Sequence, residues 1–114
     1  MHVAVANTGD IAADSIFGAS GISATASGLG GTAVVTNTGD ITAAQYVAGG
    51  YGAFGIVAST DGDSGIDNGG AITVTSGGTG YGVAALSFAG DAVVVNSGDV
   101  GVEASTAASK YYGS

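Results

Sequence analysis

The length and composition of the chain allow one domain and exclude several classes of protein. It has 114 residues, of which 23 are glycine, and it contains no proline, cysteine or tryptophan. The formal net charge of −8 argues against nucleic-acid binding, which needs a basic surface to neutralise phosphates. No apolar stretch approaches the roughly 20 residues that a membrane-spanning helix needs, so no membrane insertion is expected. Five tyrosines, three phenylalanines and many β-branched residues argue against disorder.

A five-residue pattern that begins with asparagine returns along the chain at a nearly constant interval. The copies read N-T-G-D-I, N-T-G-D-I, N-G-G-A-I and N-S-G-D-V. They begin at Asn7, Asn37, Asn68 and Asn96, so the intervals are 30, 31 and 28 residues. Self-similarity at this period predicts a repetitive fold.

Each repeat divides into short runs of β-forming residues bounded by Gly, Asn and Asp, which is typical of strands joined by turns. One run precedes the Asn, a second follows the corner, and a third begins with Gly and then Ile or Val. In chain order the runs are 3–6, 11–13, 21–24, 33–36, 41–43, 55–58, 72–74, 82–85 and 92–95. Helices are not expected, because glycine recurs too often and no apolar stripe of 3.6-residue period is present.

Three strands and three turns per repeat predict one rung of a parallel β-helix, or β-solenoid. The fold class is all-β, with about four rungs in a single segment 1–114. The rungs cover approximately 3–31, 32–65, 66–90 and 91–114, and the last is incomplete. Alternation of side chains predicts which residues point inward. These are Val3, Val5, Ile11, Ile22, Ala24, Val35, Ile41, Ala43, Ile56, Ala58, Ile72, Val74, Val83, Ala85, Val94 and Val100.

The repeated corner has two compatible interpretations. Glycine supplies the positive φ angles of sharp turns, and asparagine is a common turn residue that tolerates left-handed geometry. The side-chain amides of Asn7, Asn37, Asn68 and Asn96 are also expected to hydrogen-bond from rung to rung as a ladder along one corner. Both roles stay open at this point.

The pattern V-x-N-[TS]-G-D-[IV]-x-A, followed by [FY]-G-[IV]-x-A-[ST], resembles the passenger repeats of bacterial autotransporter-like surface proteins. The resemblance covers nearly the whole chain. It implies a parallel β-helix displayed outside the cell, at the outer surface of a bacterium, and anchored by a membrane barrel that this sequence does not contain.

One segment resembles part of a calcium loop, because carboxylates alternate with small residues from Asp61 through Asp63 to Asp67. No downstream acid completes the loop, and Gly65 replaces an oxygen-bearing side chain. We interpret residues 61–68 as a solvated loop that accommodates extra residues of the second rung, with calcium as the alternative. No other cofactor is expected.

The remaining polar residues do not form a catalytic set. Asp10, Asp40, Asp91 and Asp99 are the candidate catalytic carboxylates. Three of them, at 10, 40 and 99, belong to the repeat, where Asp caps backbone N–H groups of the turn. His2 is the only histidine and no serine has a partner base, so no enzyme activity is expected.

Aromatic and threonine side chains suggest two further surfaces. The rings of Phe17, Tyr46, Tyr51, Phe54, Tyr81, Phe88, Tyr111 and Tyr112 cluster near the third strand. They are interpreted as a corner that shields the thin core, with a binding surface for sugars or proteins as the alternative. Threonine does not recur at one position in each rung, which leaves an ice-binding solenoid as a remote alternative.

The sequence predicts a structural or adhesive segment of a bacterial cell-surface or secreted β-helical protein. Its expected partners are other copies or flanking rungs that stack end to end, and host or cell-surface molecules. A self-assembling filament subunit is the alternative function, because open strand edges invite another copy.

Overall fold

The structure is a computed structural model that describes residues 2–28, 30–47 and 51–108, the last four by their backbone alone. The described residues form ten β-strands and no helix. The strands are β1 (His2–Asn7), β2 (Ile11–Ser15), β3 (Gly18–Ala26), β4 (Thr32–Asn37), β5 (Ile41–Gln45), β6 (Gly52–Thr60), β7 (Ser64–Asn68), β8 (Ile72–Ser87), β9 (Ala92–Asn96) and β10 (Val100–Ala108).

All strand pairs are parallel, and each joins one rung to the next. β1, β4, β7 and β9 form one face. The second face contains β2, β5 and the first part of β8, which also pairs with the first part of β10. The third contains β3, β6 and the second part of β8. The predicted parallel β-helix is confirmed, with three complete rungs and a fourth described as far as Ala108.

The core is a set of columns in which each rung contributes one small apolar side chain. Every residue predicted to point inward lies in the core or packs against it. One column contains Val5, Val35, Ile66 and Val94. In this column the side chains of the two central rungs are buried, whereas those of the first and fourth rungs are partly exposed. On the third face, Ile22 and Ala24 of the first rung are at most 5% exposed although β3 has a partner strand on one side only. Burial therefore depends on a neighbouring rung on both sides at the first two faces.

The prediction of a solvated loop at residues 61–68 is wrong for most of the segment. Residues 64–68 form β7, which lies between β4 and β9, and Ile66 is only 2% exposed. β7 starts at Ser64, slightly before the approximate rung boundary at residue 66. Its composition is poor for a strand, but two flanking strands and a place in the Val35–Val94 column outweigh that local preference.

The corner glycines are explained by close approach, and the expected positive φ angles are not found there. In the part of the chain that the structure describes, only Gly28, Gly30 and Gly52 have positive φ, and no other residue type does. A Cβ on Gly39, Gly70 or Gly98 would come within 3.0 Å of the corner glycine carbonyl in the preceding rung. Stacked corners at this spacing leave no room for a side chain.

The glycine that begins the third-strand motif has a similar cause. A Cβ on Gly21 would overlap the Ile41 side chain, and one on Gly55 would overlap Ile72. In both cases the overlapping isoleucine belongs to the core of the next rung. The glycine of the G-[IV] pair is therefore required because the isoleucine of the next rung packs against its backbone.

Candidate functional site

The four repeat asparagines form a continuous ladder along the first corner, which lies between the first and second faces. The second corner lies between the second and third faces, and the third corner returns the chain to the first face. Nδ2 of Asn7 donates to Oδ1 of Asn37, Asn37 donates to Asn68, and Asn68 donates to Asn96, each at 2.7 Å. The second N–H of each amide donates to the backbone carbonyl two residues later, at 2.6–2.8 Å. Asn37 and Asn68 are 0% exposed. Each amide thus closes its own turn and also joins two rungs, so both interpretations of the corner describe the structure.

Aspartate completes this corner by accepting a backbone hydrogen bond from the following rung. Oδ1 of Asp10 accepts from the N–H of Asp40 at 3.1 Å, and Oδ1 of Asp40 accepts from the N–H of Ala71 at 3.0 Å. Both carboxylates are exposed. The repeat aspartates therefore act on the backbone of the turns.

The other two corners carry buried polar side chains that join neighbouring rungs and that the sequence did not reveal. Gln45 Nε2 donates to the carbonyls of Ile16 and Val47, while its Oε1 accepts from Ser76 Oγ at 2.9 Å. At the third corner, Thr60 Oγ1 donates to the carbonyl of Gly31 at 2.6 Å. The residue type changes from rung to rung at these positions. A search for identical residues therefore misses them, although a polar residue ends the second strand in the first three rungs, as Ser15, Gln45 and Ser76.

The three candidate calcium ligands are not brought to one point. Asp61 Oδ2 accepts from the N–H of Gly28 at 2.8 Å, and Asp63 Oδ1 accepts from the N–H of Asp91 at 2.9 Å. These two carboxylates line one open cavity of about 390 Å³ at the third corner. Asp67 lies on the exposed face of β7. Within residues 2–28, 30–47 and 51–108, no group of three acidic or histidine side chains is arranged to hold a metal ion.

The described aromatic residues lie outside the core cluster, so they do not fill the interior. Phe54 and Tyr81 stack across neighbouring rungs, with ring centroids 5.2 Å apart and planes 11° apart. With Val57, Ala84 and Leu86 they line an apolar groove of about 280 Å³ on the outside of the third face. The exposed rings at the turns are Phe17, Tyr46, Tyr51 and Phe88. Tyr111 and Tyr112 lie outside the described residues.

The threonine surface is interrupted, as the sequence indicated. Thr42 and Thr73 are neighbours on the second face, but the same position holds Ala12 in the first rung and Gly101 in the fourth. The regular array of an ice-binding face is therefore not formed at this position.

Comparisons with protein-family models, with curated proteins and with solved structures found no match. The described part of the chain has no helix that is long and apolar enough to cross a membrane. The class that the structure defines is the parallel β-solenoid, with hydrogen-bonded corners.

Proposed function

We propose that the chain is a structural and adhesive segment of a bacterial cell-surface or secreted β-helical protein. The observation that carries the proposal is the repetition of one corner at four levels in constant register, through the ladder from Asn7 to Asn96. Such a stack makes a rod whose outward faces continue from rung to rung along its length. We propose no catalytic role.

The outward faces support a role in contact with other macromolecules. On the first face, the side chains of Val34, Val93 and Val95 are 47–56% exposed. The third face adds the apolar groove that contains Phe54 and Tyr81. Exposed apolar patches on a soluble surface are typical of interaction sites. The resemblance to autotransporter-like passenger repeats points the same way, toward host or cell-surface molecules as partners.

Surface display is tested by labelling intact cells of the source bacterium with an antibody raised against this chain. We expect labelling without permeabilisation, and loss of the signal after brief treatment of whole cells with protease. An antibody to a cytoplasmic protein is the control and should label only permeabilised cells. Labelling that appears only after permeabilisation would overturn the surface location.

Adhesion is tested with beads that carry the purified chain, applied to monolayers of epithelial cells and to a lawn of the same bacterium. We expect retention on at least one surface and reduced retention for the double variant Val93→Ser, Val95→Ser. A matched control is Ala4→Ser with Ala6→Ser, which changes the same face at small exposed residues. Equal retention of coated and uncoated beads on both surfaces would contradict an adhesive role.

A self-assembling filament subunit is the second candidate function. The observation that favours it is the partial exposure of apolar side chains in the first and fourth rungs, where the core otherwise continues. A further rung on either side would bury them.

A further inference from the structure

We propose that the two ends of the solenoid are complementary binding surfaces, so that one copy of the chain stacks head to tail on the next in a single register. The lower surface consists of the open edges of β1, β2 and β3, and the upper surface of the open edges of β9 and β10. Within the described residues, each of these edges has a partner strand on one side only. The inference names the partner for the second candidate function and rests on it.

The apolar columns of the two surfaces match. The lower surface presents the partly buried Val3, Val5, Ile11 and Ala13, and the upper surface presents Ala92, Val94, Val100 and Val102. When the observed register is continued by one rung, these eight residues form four vertical pairs. The pairs are Ala92 with Val3, Val94 with Val5, Val100 with Ile11, and Val102 with Ala13. The columns of the core thus continue through the junction. Residues paired across it differ in size no more than neighbours within one column of the chain, such as Val3 and Ala33.

The asparagine ladder has a direction, which makes its two ends a donor and an acceptor. Each amide donates toward the higher rung, so Oδ1 of Asn7 receives no hydrogen bond from the described residues. At the upper end, Nδ2 of Asn96 donates to Gly98 and keeps one N–H for a further acceptor. In the stack this N–H donates to Oδ1 of Asn7 in the next copy. A copy that stacks head to head pairs two donors or two acceptors instead.

The backbone at the same corner continues in the same direction. The carbonyls of Asn7, Asn37 and Asn68 each accept from the next rung, so the carbonyl of Asn96 accepts from Thr8 of the next copy. The N–H of Ile72 donates to Asp99, as the equivalent N–H does in each earlier rung. By the same series, the N–H of Val100 donates to the carbonyl of Asp10 in the next copy. With the amide bond, the corner forms three hydrogen bonds across the junction.

The space beside Gly9 is open in a single copy and is filled in the stack. A Cβ added to Gly9 meets nothing within 4 Å in this chain, whereas one added to the equivalent Gly39 or Gly70 overlaps the corner glycine below. In the stack, Gly9 of the next copy lies above Gly98 at the same close approach. Gly9→Ala is therefore expected to leave the fold of a single copy unchanged and to block stacking.

The first experiment measures association of the purified 114-residue chain by sedimentation velocity over a range of concentrations. Each copy carries a formal charge of −8, so association is expected to strengthen when salt screens the repulsion between copies. We expect concentration-dependent oligomers for the native chain and a dissociation constant raised at least about 100-fold for Gly9→Ala. The matched control is Gly65→Ala, which also meets nothing within 4 Å but lies in an interior rung, and it should associate like the native chain.

Three results would overturn the proposal. If the native chain stays monomeric at high concentration and high salt, the end surfaces do not bind a second copy and belong instead to contacts with flanking rungs of one polypeptide. Gly9→Ala that associates like the native chain places any assembly on another surface. Gly65→Ala that loses association as Gly9→Ala does removes the specific role of the corner. Thermal unfolding followed by circular dichroism establishes that each variant is folded.

A second experiment tests the register without relying on Gly9. The chain has no cysteine, so the exposed pair Ala4→Cys and Val93→Cys introduces the only thiols. In the stack these residues are neighbours in adjacent strands about 4.8 Å apart, within the Cα range of a disulfide, whereas in one copy they are three rungs apart. We expect disulfide-linked oligomers on mild oxidation. The control pair Ala4→Cys and Val95→Cys is displaced by two residues, to about 8 Å, and should link poorly. Equal linkage of both pairs would contradict the single register, whatever the outcome of the surface-labelling test.

Discussion

At the scale of single residues, the buried polar side chains decide how firmly the rungs are joined. Asn37 and Asn68 are fully buried, and every polar atom of their amides that the structure describes has a partner above, below or in its own turn. A buried polar group costs free energy when its partner is removed, typically about 1–3 kcal/mol. Substitution of an asparagine in the interior of the ladder is therefore expected to cost much more stability than substitution at its ends.

Asn68→Ala is expected to lower the free energy of unfolding by about 3 kcal/mol. The change leaves the donor of Asn37, the acceptor of Asn96 and the carbonyl of Gly70 without their bonds. The control is Asn96→Ala at the exposed upper end of the ladder, for which we expect a loss of about 1 kcal/mol. Urea unfolding of both variants measures the difference, and equal losses would show that the ladder does not act through burial.

Ser64→Ala is expected to raise the free energy of unfolding by about 1 kcal/mol. Ser64 is 3% exposed, and its hydroxyl oxygen has no hydrogen-bond partner. Alanine fits the site, because the neighbouring rungs carry Ala33 and Ala92 at the same position. Ser76→Ala is the matched control and should be destabilising, since that buried hydroxyl donates to Gln45. A loss of stability in Ser64→Ala, measured by thermal unfolding, would mean that the hydroxyl is satisfied in solution.

At the scale of strands and turns, each strand is held by its neighbours more than by its own composition. β7 contains Gly65 and Asp67, which are poor strand formers, yet it pairs on both sides over its full length. In the turns, the neighbouring rung instead restricts which residue type can be present. Their glycines are required by the backbone of the rung below, at a distance that no side chain can occupy.

Gly70→Ala is therefore expected to lower the free energy of unfolding by about 2–3 kcal/mol. Its Cβ would overlap the carbonyl of Gly39, and neither backbone can move without shifting a corner of the stack. Gly65→Ala is the control within the adjacent strand and should change stability by less than about 0.5 kcal/mol. Chemical unfolding of the pair makes the comparison, and a tolerated Gly70→Ala would refute the close approach of the corners.

At the scale of the whole molecule, stability comes from contacts between successive rungs. On the first and second faces, core side chains of the second and third rungs are almost completely buried, but the equivalent side chains of the first and fourth rungs are partly exposed. In such a stack, each added rung converts an end rung into an interior one, so stability is expected to rise with the number of rungs.

Duplication of one rung tests this dependence. We expect that a second copy of residues 38–68, inserted after Asn68, raises both the free energy of unfolding and its dependence on urea, because more surface is buried on folding. A Gly/Ser insertion of equal length at the same point is the control and should raise neither. If the duplicated chain unfolds at the same urea concentration with the same slope, the new rung has not joined the stack.

Most of the core could be predicted from sequence, because its residues obey a short rule that every rung repeats. Ile11, Ile41 and Ile72 follow the corner at a fixed distance, and alternation then assigns the neighbouring positions. Ile66 was missed because the residues around it have low strand propensity. The hydrogen bond between Gln45 and Ser76 was missed because different polar side chains can form such a bond at that corner, so the sequence does not repeat there.

The sequence by itself determined the period, the parallel β-solenoid and the asparagine corner, since stacking in one register requires the same small set of residues at each level. The tertiary structure decided the strand at Ser64–Asn68, the reason for the corner glycines and the direction of the ladder. These features depend on which atoms lie above and below a residue. Such neighbours are about 30 residues away along the chain, so local preference cannot reveal them.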